Sequence, residues 1–226
     1  NNDLQEALNE LSQINIEVLP SQYREQFNLL KQKVRGLSAG LTEFNDLAKK
    51  IKSFLGDNEK VRYLLVFQNN AEMRATGGFI GSYALIDFYG GKIKNIEIPG
   101  GGSYDTTAGL LKKVTAPQPL HLVSSLWHFW DANWWPDWPA SARKLMWFYE
   151  KSDGPTVDGV ISFTPAVVEE LLGIIGPVDL KTEYGAIIDK NNFWITAQEF
   201  SEQKPEITKQ PKKIIGDLMN KIIAEL

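Results

Sequence analysis

Residues 62–82 read RYLLVFQNNAEMRATGGFIGS, and this stretch decides the fold around which the rest of the chain is arranged. Residues 63–67 form a continuous apolar run, the pattern of a strand that is covered on both faces. A polar segment follows, and a second apolar run occupies residues 79–88. The pattern predicts two strands of one sheet, joined by a polar loop at the edge where the first strand ends.

The polar loop between these strands combines a guanidinium group with glycines. Arg74 is followed by Gly77 and Gly78, whose lack of a side chain allows backbone N–H groups to turn outward. An arginine in this setting forms a bidentate clamp for phosphate, so these three residues are the candidate anion site. In the structural alternative, Arg74 forms an internal salt bridge with Glu72 or Asp137.

Apolar residues recur at helical spacing throughout residues 1–57. Pro20 and Ser21 provide a break and an N-cap within this segment, and residues 56–58 (GDN) end it. We therefore expect residues 1–57 to form a helical hairpin or stalk that packs on an α/β domain at residues 58–226. A sharper interpretation is that the segment spaces this domain from a membrane.

The chain after residue 88 alternates between strand and helix signals. Gly90 and Gly91 supply the positive φ of a hairpin turn, and residues 92–98 are interpreted as a third strand. Further along, the pattern predicts an irregular connection, a strand, a helix, a strand and a closing amphipathic helix, at residues 103–119, 157–163, 166–172, 178–180 and 211–226. This succession predicts an α/β fold, with a central mixed sheet flanked by helices and an N-terminal helical segment.

Large aromatic rings crowd residues 120–149. Two prolines and two aspartates at residues 131–139 (DANWWPDWP) cannot lie in a helix interior, so this segment is predicted to be an ordered loop before a helix that restarts at Ala140. The candidate ligand platform in this loop consists of Trp134, Trp135 and Trp138. These indoles either stack on sugars or line an apolar trough for a lipid chain, and the alternative is a core filled with large rings.

Carboxylate and amide side chains in the two loops are candidate ligands of a hard cation such as Mg²⁺. These residues are Asn69, Asn70, Glu72, Asp131, Asn133 and Asp137. Their spacing matches no dedicated metal loop, and both aspartates are equally suited to cap turns and the following helix. His121 and His128 have no clear third ligand in the sequence, so we interpret them as surface or core residues.

The composition narrows the classes of function. The 226-residue chain has a formal charge of −4, a pI of about 5.3 and no basic stripe, so nucleic-acid binding is not expected. The absence of cysteine excludes disulfides, thiolate catalysis and zinc–thiolate sites. No glycine-rich segment continues as a P-loop, a dinucleotide fingerprint or a hydrolase elbow. The chain begins with Asn rather than Met, and we expect a membrane anchor upstream of it.

Three segments carry a resemblance to a known family. They are residues 68–81 (QNNAEMRATGGFIG), residues 131–139 and residues 157–161 (VDGVI). In their order and spacing they resemble the signature of DUF4012, a bacterial family of unknown function. The resemblance implies a surface-exposed domain behind an N-terminal membrane anchor.

The order of the strands and the polar loop is also similar to the LytR-CpsA-Psr family, whose members use Mg²⁺ to transfer glycopolymers from a polyprenyl-pyrophosphate carrier. By this likeness, Asn69 or Asn70 takes the position of a metal-binding aspartate, and Arg74 that of an arginine that holds the pyrophosphate. Residues 99–101 (PGG) depart from that family's Pro-Arg-Asp. Its late arginines are matched only by lysines, at Lys209, Lys212 and Lys213.

These likenesses imply an extracytoplasmic, membrane-anchored domain of the bacterial cell envelope that binds a cell-wall glycan or a lipid-linked phosphate carrier, without an intact phosphotransferase site. One alternative is an active Mg²⁺-dependent phosphotransferase of the LytR-CpsA-Psr type. The other is a structural surface domain, in which Arg74 and Asp137 serve as internal struts.

Overall fold

The structure is a computed structural model that describes residues 2–110, 112–202, 210 and 212–225. The chain divides into two compact units, Asn1–Asn58 and Glu59–Leu226. No helix among the described residues is both long and apolar enough to span a membrane.

The first unit consists of two helices, as its apolar spacing predicts. They are α1 (Asn2–Gln13) and α2 (Ser21–Phe54). The two helices contact each other, and the Ser38 hydroxyl lies 3.4 Å from Oε1 of Gln5. Large apolar side chains of α2 remain more than half exposed, among them Leu37, Phe44 and Leu47. α1 therefore covers only part of the apolar stripe of α2.

A mixed four-stranded sheet organises the second unit. Its strands are β1 (Val61–Asn69), β2 (Phe79–Tyr89), β3 (Lys92–Glu97) and β4 (Gly159–Phe163). They lie in the order β3-β2-β1-β4, with β1 antiparallel to β2 and parallel to β4. The turn between β2 and β3 is the predicted one, with φ of 61° at Gly90 and 75° at Gly91. β1 has a neighbouring strand on each side, β2 and β4.

Helices surround this sheet, and a second, two-stranded sheet lies among them. The helices are α3 (Asp105–Gly109), α4 (Trp138–Lys151), α5 (Pro165–Ile175), α6 (Lys181–Tyr184), α7 (Phe193–Glu202) and α8 (Lys213–Glu225). The small sheet pairs β5 (Val178–Leu180) with β6 (Ala186–Ile188) in antiparallel fashion. The predicted α/β class, with a mixed sheet and flanking helices, is confirmed.

Two expectations for the later part of the chain are wrong. The strand–helix–strand succession that ends at Val178–Leu180 favours a crossover within one sheet, but this strand follows Gly176, at a φ of 92°, and pairs with β6 in the small sheet. The connection at residues 103–119 is not irregular throughout, since it contains α3 directly after a 3₁₀ turn at Gly102–Tyr104. Local periodicity indicates the type of an element, but it does not indicate the partner with which that element pairs.

One face of the sheet packs against α4 and the tryptophan-rich segment, and we call it the aromatic face. Leu64 and Val66 of β1 and Tyr83 of β2 join a buried core there with Phe129 and Phe148. All five side chains are less than a tenth exposed. Most of the rings concentrated at residues 120–149 therefore build a core against the sheet.

The opposite face packs against α5, α7 and α8, and we call it the helical face. Leu65 and Phe67 of β1 lie on this side, together with Phe163 of β4. The pairing of β1 with β2 shifts register between Phe67 and Gln68. This bulge ends the apolar part of β1 and passes the chain into the polar loop that follows it.

Candidate functional site

Arg74 bridges the polar loop and the tryptophan-rich segment. Its Nε lies 3.5 Å from Oδ1 of Asp131, and its Nη1 donates a hydrogen bond of 3.0 Å to the carbonyl of Met73. The guanidinium carbon lies 5.1 Å from the centre of the Phe79 ring. The ion-pair partner of Arg74 is thus Asp131, whereas the structural interpretation of the sequence named Glu72 or Asp137.

Asp131 is held from several sides. It is 8% exposed, and its carbonyl accepts a 2.9 Å hydrogen bond from the indole N–H of Trp127. Burial raises the pKa of the Asp131 carboxyl, and the positive charge of Arg74 offsets part of that shift. The Arg74–Asp131 pair therefore links the two loops. Because the two charges are opposite, they partly neutralise each other before any ligand binds.

Gly77 and Gly78 are also committed to contacts within the protein. The Gly77 N–H donates to the carbonyl of Arg74 at 3.4 Å, and the Gly78 carbonyl accepts a 2.8 Å hydrogen bond from Nδ2 of Asn133. Gly78 packs so tightly on the backbone of Asn69 that a Cβ there would overlap its carbonyl group. Gly78 thus allows the start and the end of the polar loop to approach each other closely.

The remaining polar candidates form separate pairs. Asn69 accepts a hydrogen bond from the Ala71 N–H and donates one to Oε1 of Glu72, both at 2.9 Å. Asn70 is exposed, and Asp137 caps the start of α4 by accepting from the Ala140 N–H at 3.2 Å. Within the described parts of the chain, no three side chains of His, Cys, Asp or Glu lie close enough together to hold a metal ion. The carboxylates proposed for Mg²⁺ thus do not form a shared cluster.

The three tryptophans of the candidate platform do not present one open surface. Trp134 and Trp138 are half-buried and pack against the core of the aromatic face, whereas Trp135 is 38% exposed. Trp135 also meets Trp127 edge to face, with ring centres 5.6 Å apart. Lys144 lies over the Trp127 ring at 4.6 Å, a cation–π contact. Trp134 and Trp138 are therefore mainly core residues, and of the three tryptophans only Trp135 is classed as exposed.

A cavity of about 430 Å³, which no sequence pattern predicted, lies on the helical face. We call it the helical-face cavity. Its apolar wall is contributed by the end of β1 and by three helices, through Phe67, Val168, Phe193, Ala197, Leu218 and Met219. Since α7 was not predicted, the spacing of Phe193, Ala197 and Ser201 on one side of that helix was the signal that was missed.

Polar groups border this cavity, and some of them are sequence-predicted candidates. Asn69 and Glu72 lie on it, with Tyr104 and Lys212. Lys212 is positioned there by its backbone N–H, which donates to the carbonyl of Gly100 at 2.9 Å. The structure therefore brings part of the polar loop to the apolar cavity, and Phe79, which lies under Arg74, also lines it.

Two buried polar atoms next to the cavity have no hydrogen-bond partner in the described part of the chain. They are Oε1 of Gln68 and Oγ of Ser82, on residues that are 1% and 2% exposed. Buried polar atoms are normally satisfied, so each is a candidate contact for a bound molecule.

Lys212 is one of the three lysines that the sequence matched to late arginines, and it lines the cavity. Of the other two, Lys213 has its Nζ 3.7 Å from Oδ2 of Asp217, and Lys209 lies outside the described residues.

Comparison with known proteins gives one match. A family model described as a protein of unknown function (DUF4012) matches residues 58–200, which is more than half of the chain. The match begins just before β1 and ends within α7, so it includes the polar loop and the tryptophan-rich segment. No curated protein and no solved structure matches the chain.

Proposed function

The chain belongs to the DUF4012 family, and we propose that it binds a lipid-linked phosphate carrier of the bacterial cell envelope in the helical-face cavity. The observation that carries this proposal is the apolar cavity of about 430 Å³ that opens beside the polar loop. Its volume falls within the roughly 300–1,000 Å³ of small-molecule sites. The apolar wall receives the isoprenoid chain, and the polar border receives the head group.

Chain binding rests on the hydrophobic effect. Phe67, Val168, Phe193 and Leu218 come from four elements and form one continuous apolar wall. Each methylene group that moves from water into such a wall contributes about 0.8 kcal/mol. A short isoprenoid segment is therefore enough to give measurable affinity, without any contribution from the head group.

Head-group binding rests on the groups at the border. Lys212 supplies a positive charge, Tyr104 a hydroxyl, and Ser82 a buried hydroxyl without a described partner. The Tyr104 ring contacts the Trp130 ring at a tilt of 57°, with ring centres 4.7 Å apart, so the border continues into the tryptophan-rich segment, where a sugar attached to the phosphate would lie. Arg74 lies over the Phe79 ring, which lines the cavity, and its guanidinium also faces Asp131. Lys212 and Arg74 are therefore the two cationic candidates for contact with the head group.

The site is proposed to bind rather than to transfer. Residues 99–101 (PGG) lack the arginine and the acid that the similar transferase family keeps there, and the carboxylates of the polar loop form no cluster for a metal in the described residues. We place this activity outside the cytoplasm, on a domain tethered to the membrane by a segment of the full-length protein.

The test is calorimetric titration of a short polyprenyl pyrophosphate, with and without Mg²⁺, into the 226-residue chain. Ala197→Trp fills the cavity, and Ser201→Phe blocks it from a less buried position of the same helix. Ile195→Trp is the matched control, because Ile195 is also on α7 but is 61% exposed. Lys212→Ala and Arg74→Ala test the head group, with the corresponding polyprenyl alcohol as the ligand without phosphate.

We expect micromolar binding to the wild type and to Ile195→Trp, and loss of binding in both blocking variants. Lys212→Ala is expected to weaken the pyrophosphate and not the alcohol. Absence of binding to the folded wild type, or unchanged binding in Ser201→Phe, would overturn the proposal. If Arg74→Ala alone loses pyrophosphate binding, the residue that contacts the head group is Arg74 of the polar loop and not Lys212.

A further inference from the structure

A second, smaller cavity lies on the aromatic face, on the other side of the sheet. It has a volume of about 290 Å³ and lies between the sheet, α3 and the end of α4. We call it the aromatic-face cavity. It shares no lining residue with the helical-face cavity, and its walls are mainly polar, so a different ligand is implied.

Two largely buried tyrosines line this cavity. Tyr83 and Tyr149 are 7% and 6% exposed, and their rings meet edge to face with centres 5.6 Å apart. Neither hydroxyl makes a hydrogen bond to any residue that the structure describes. Because both tyrosines line the cavity, a bound molecule can supply the hydrogen-bond partner that each hydroxyl lacks among the described residues.

Both phenols are neutral under ordinary conditions. Burial raises the pKa of Tyr149 to about 12, and burial together with neighbouring Tyr149 and carboxylates raises the pKa of Tyr83 further. Each hydroxyl therefore keeps its proton and can donate one hydrogen bond while it accepts another. This pair of functions suits the hydroxyl groups of a polyol.

The border of the cavity is acidic. Glu97, Asp105 and Asp153 line it. The negative charges of Glu97 and Asp105 contribute to the raised pKa of Tyr83. The one arginine on the lining, Arg62, is already bound to Asp87 through hydrogen bonds of 2.6 and 3.0 Å. The excess of negative charge favours a cationic ligand over a neutral or anionic one.

A bare metal ion is a poor candidate. Among the described residues, no three acidic or histidine side chains lie close enough to coordinate one ion. Carboxylates spread around a cavity instead suit a polyatomic cation, whose N–H and O–H groups reach separate acceptors. Asn95 and Thr106 also line the cavity, and their side chains add hydrogen-bond donors and acceptors to the same wall.

We propose that the aromatic-face cavity binds a small organic ammonium ion that carries hydroxyl groups, the chemistry of an amino sugar with a free amine. The ammonium group lies at the border between Glu97 and Asp105, and the ligand hydroxyls meet the phenols of Tyr83 and Tyr149. This site is independent of the carrier proposed for the helical face, and neither depends on the other.

The test is titration of glucosamine into the full chain at mildly acidic pH, followed by calorimetry and by amide chemical shifts, with glucose as the neutral comparison. Glu97→Gln removes one charge at an exposed position without changing its size, and Tyr149→Phe removes one hydroxyl but keeps the ring. Glu150→Gln is the matched control, because this exposed carboxylate lies next to Tyr149 in sequence and does not line the cavity.

Glucosamine is expected to bind about tenfold more tightly than glucose, an advantage that Glu97→Gln largely removes and Glu150→Gln leaves intact. Tyr149→Phe is expected to weaken both sugars. Equal affinity for the two sugars, or an undiminished preference for glucosamine in Glu97→Gln, would overturn the proposal. Absence of glucosamine binding to the wild type would overturn it as well, and the exposed position of Glu97 keeps this comparison decisive if Tyr149→Phe does not fold.

Discussion

The side chain of Asn133 donates a 2.8 Å hydrogen bond to the backbone carbonyl of Gly78. Asn133 is 1% exposed and Gly78 is buried, so water does not compete for this contact. The bond joins the tryptophan-rich segment to the polar loop at the end of β1, next to the Arg74–Asp131 pair. The position of one loop therefore depends on the other.

Replacing Asn133 by Ala is expected to lower the free energy of unfolding of the second unit by about 1–3 kcal/mol, because the buried Gly78 carbonyl loses its partner. Urea denaturation followed by tryptophan fluorescence measures this, since all seven tryptophans lie in that unit. Asn70→Ala is the control from the same loop system and is expected to change stability by less than about 0.5 kcal/mol, since Asn70 is exposed. Similar losses in both variants would contradict the assigned role of Asn133.

Gly78→Ala is expected to cost about 3 kcal/mol or more, because the added Cβ meets the backbone carbonyl of Asn69, which cannot move without distorting β1. Gly81→Ala, three positions along, is expected to cost less than about 1 kcal/mol, since its Cβ would meet only the Phe79 ring, at 3.8 Å. The same fluorescence-detected denaturation compares the two variants. If both alanines are tolerated equally, the close approach of Gly78 to Asn69 is not a requirement of the fold.

Asp87 is expected to make stability depend on pH below about 4. Hydrogen bonds from Arg62, and then from Lys60, lower its pKa from 3.8 to about 2 in the folded state. Because the folded pKa is depressed, the stabilisation is complete above the unfolded pKa and is lost as the pH falls through about 2; its size is about 2 kcal/mol. Asp87→Asn should therefore be less stable than the wild type at neutral pH. The difference should shrink towards pH 2, and a difference that is constant with pH would contradict the assignment.

Strands β1 to β5 and helices α1, α2, α4, α5 and α8 were predictable because their signals are local, whereas β6 and α7 were not predicted. The apolar run in β1, the two glycines of the β2–β3 turn and the proline at the start of α4 each act on their own neighbours in the chain. The identity of the strand beside β1 was not predictable in this way. β4 pairs with β1 across a long insertion, and β5 pairs with β6 rather than with either of them.

The candidate site was predictable only as a list of residues. The sequence suggests Glu72 or Asp137 as the partner of Arg74, but its partner is Asp131, which comes close to it through the folding of the tryptophan-rich segment. The helical-face cavity was not predictable, since its wall requires β1, α5, α7 and α8 to converge. The aromatic-face cavity was missed for the same reason: Tyr83 and Tyr149 come together only when α4 packs on β2.

The pairing of β1 with β4 has a consequence for how the chain is made. The backbone N–H of Arg62 is bound by the carboxylate of Asp158, which lies 96 positions later in the chain. During synthesis, β1, β2 and β3 can form their meander early, because their contacts are local. One edge of β1, an apolar strand, then stays open until β4 leaves the ribosome, and an open apolar edge invites pairing with a wrong partner. We therefore expect this edge of β1 to stay open while the tryptophan-rich segment is being translated, since that segment lies between β1 and β4 in the chain.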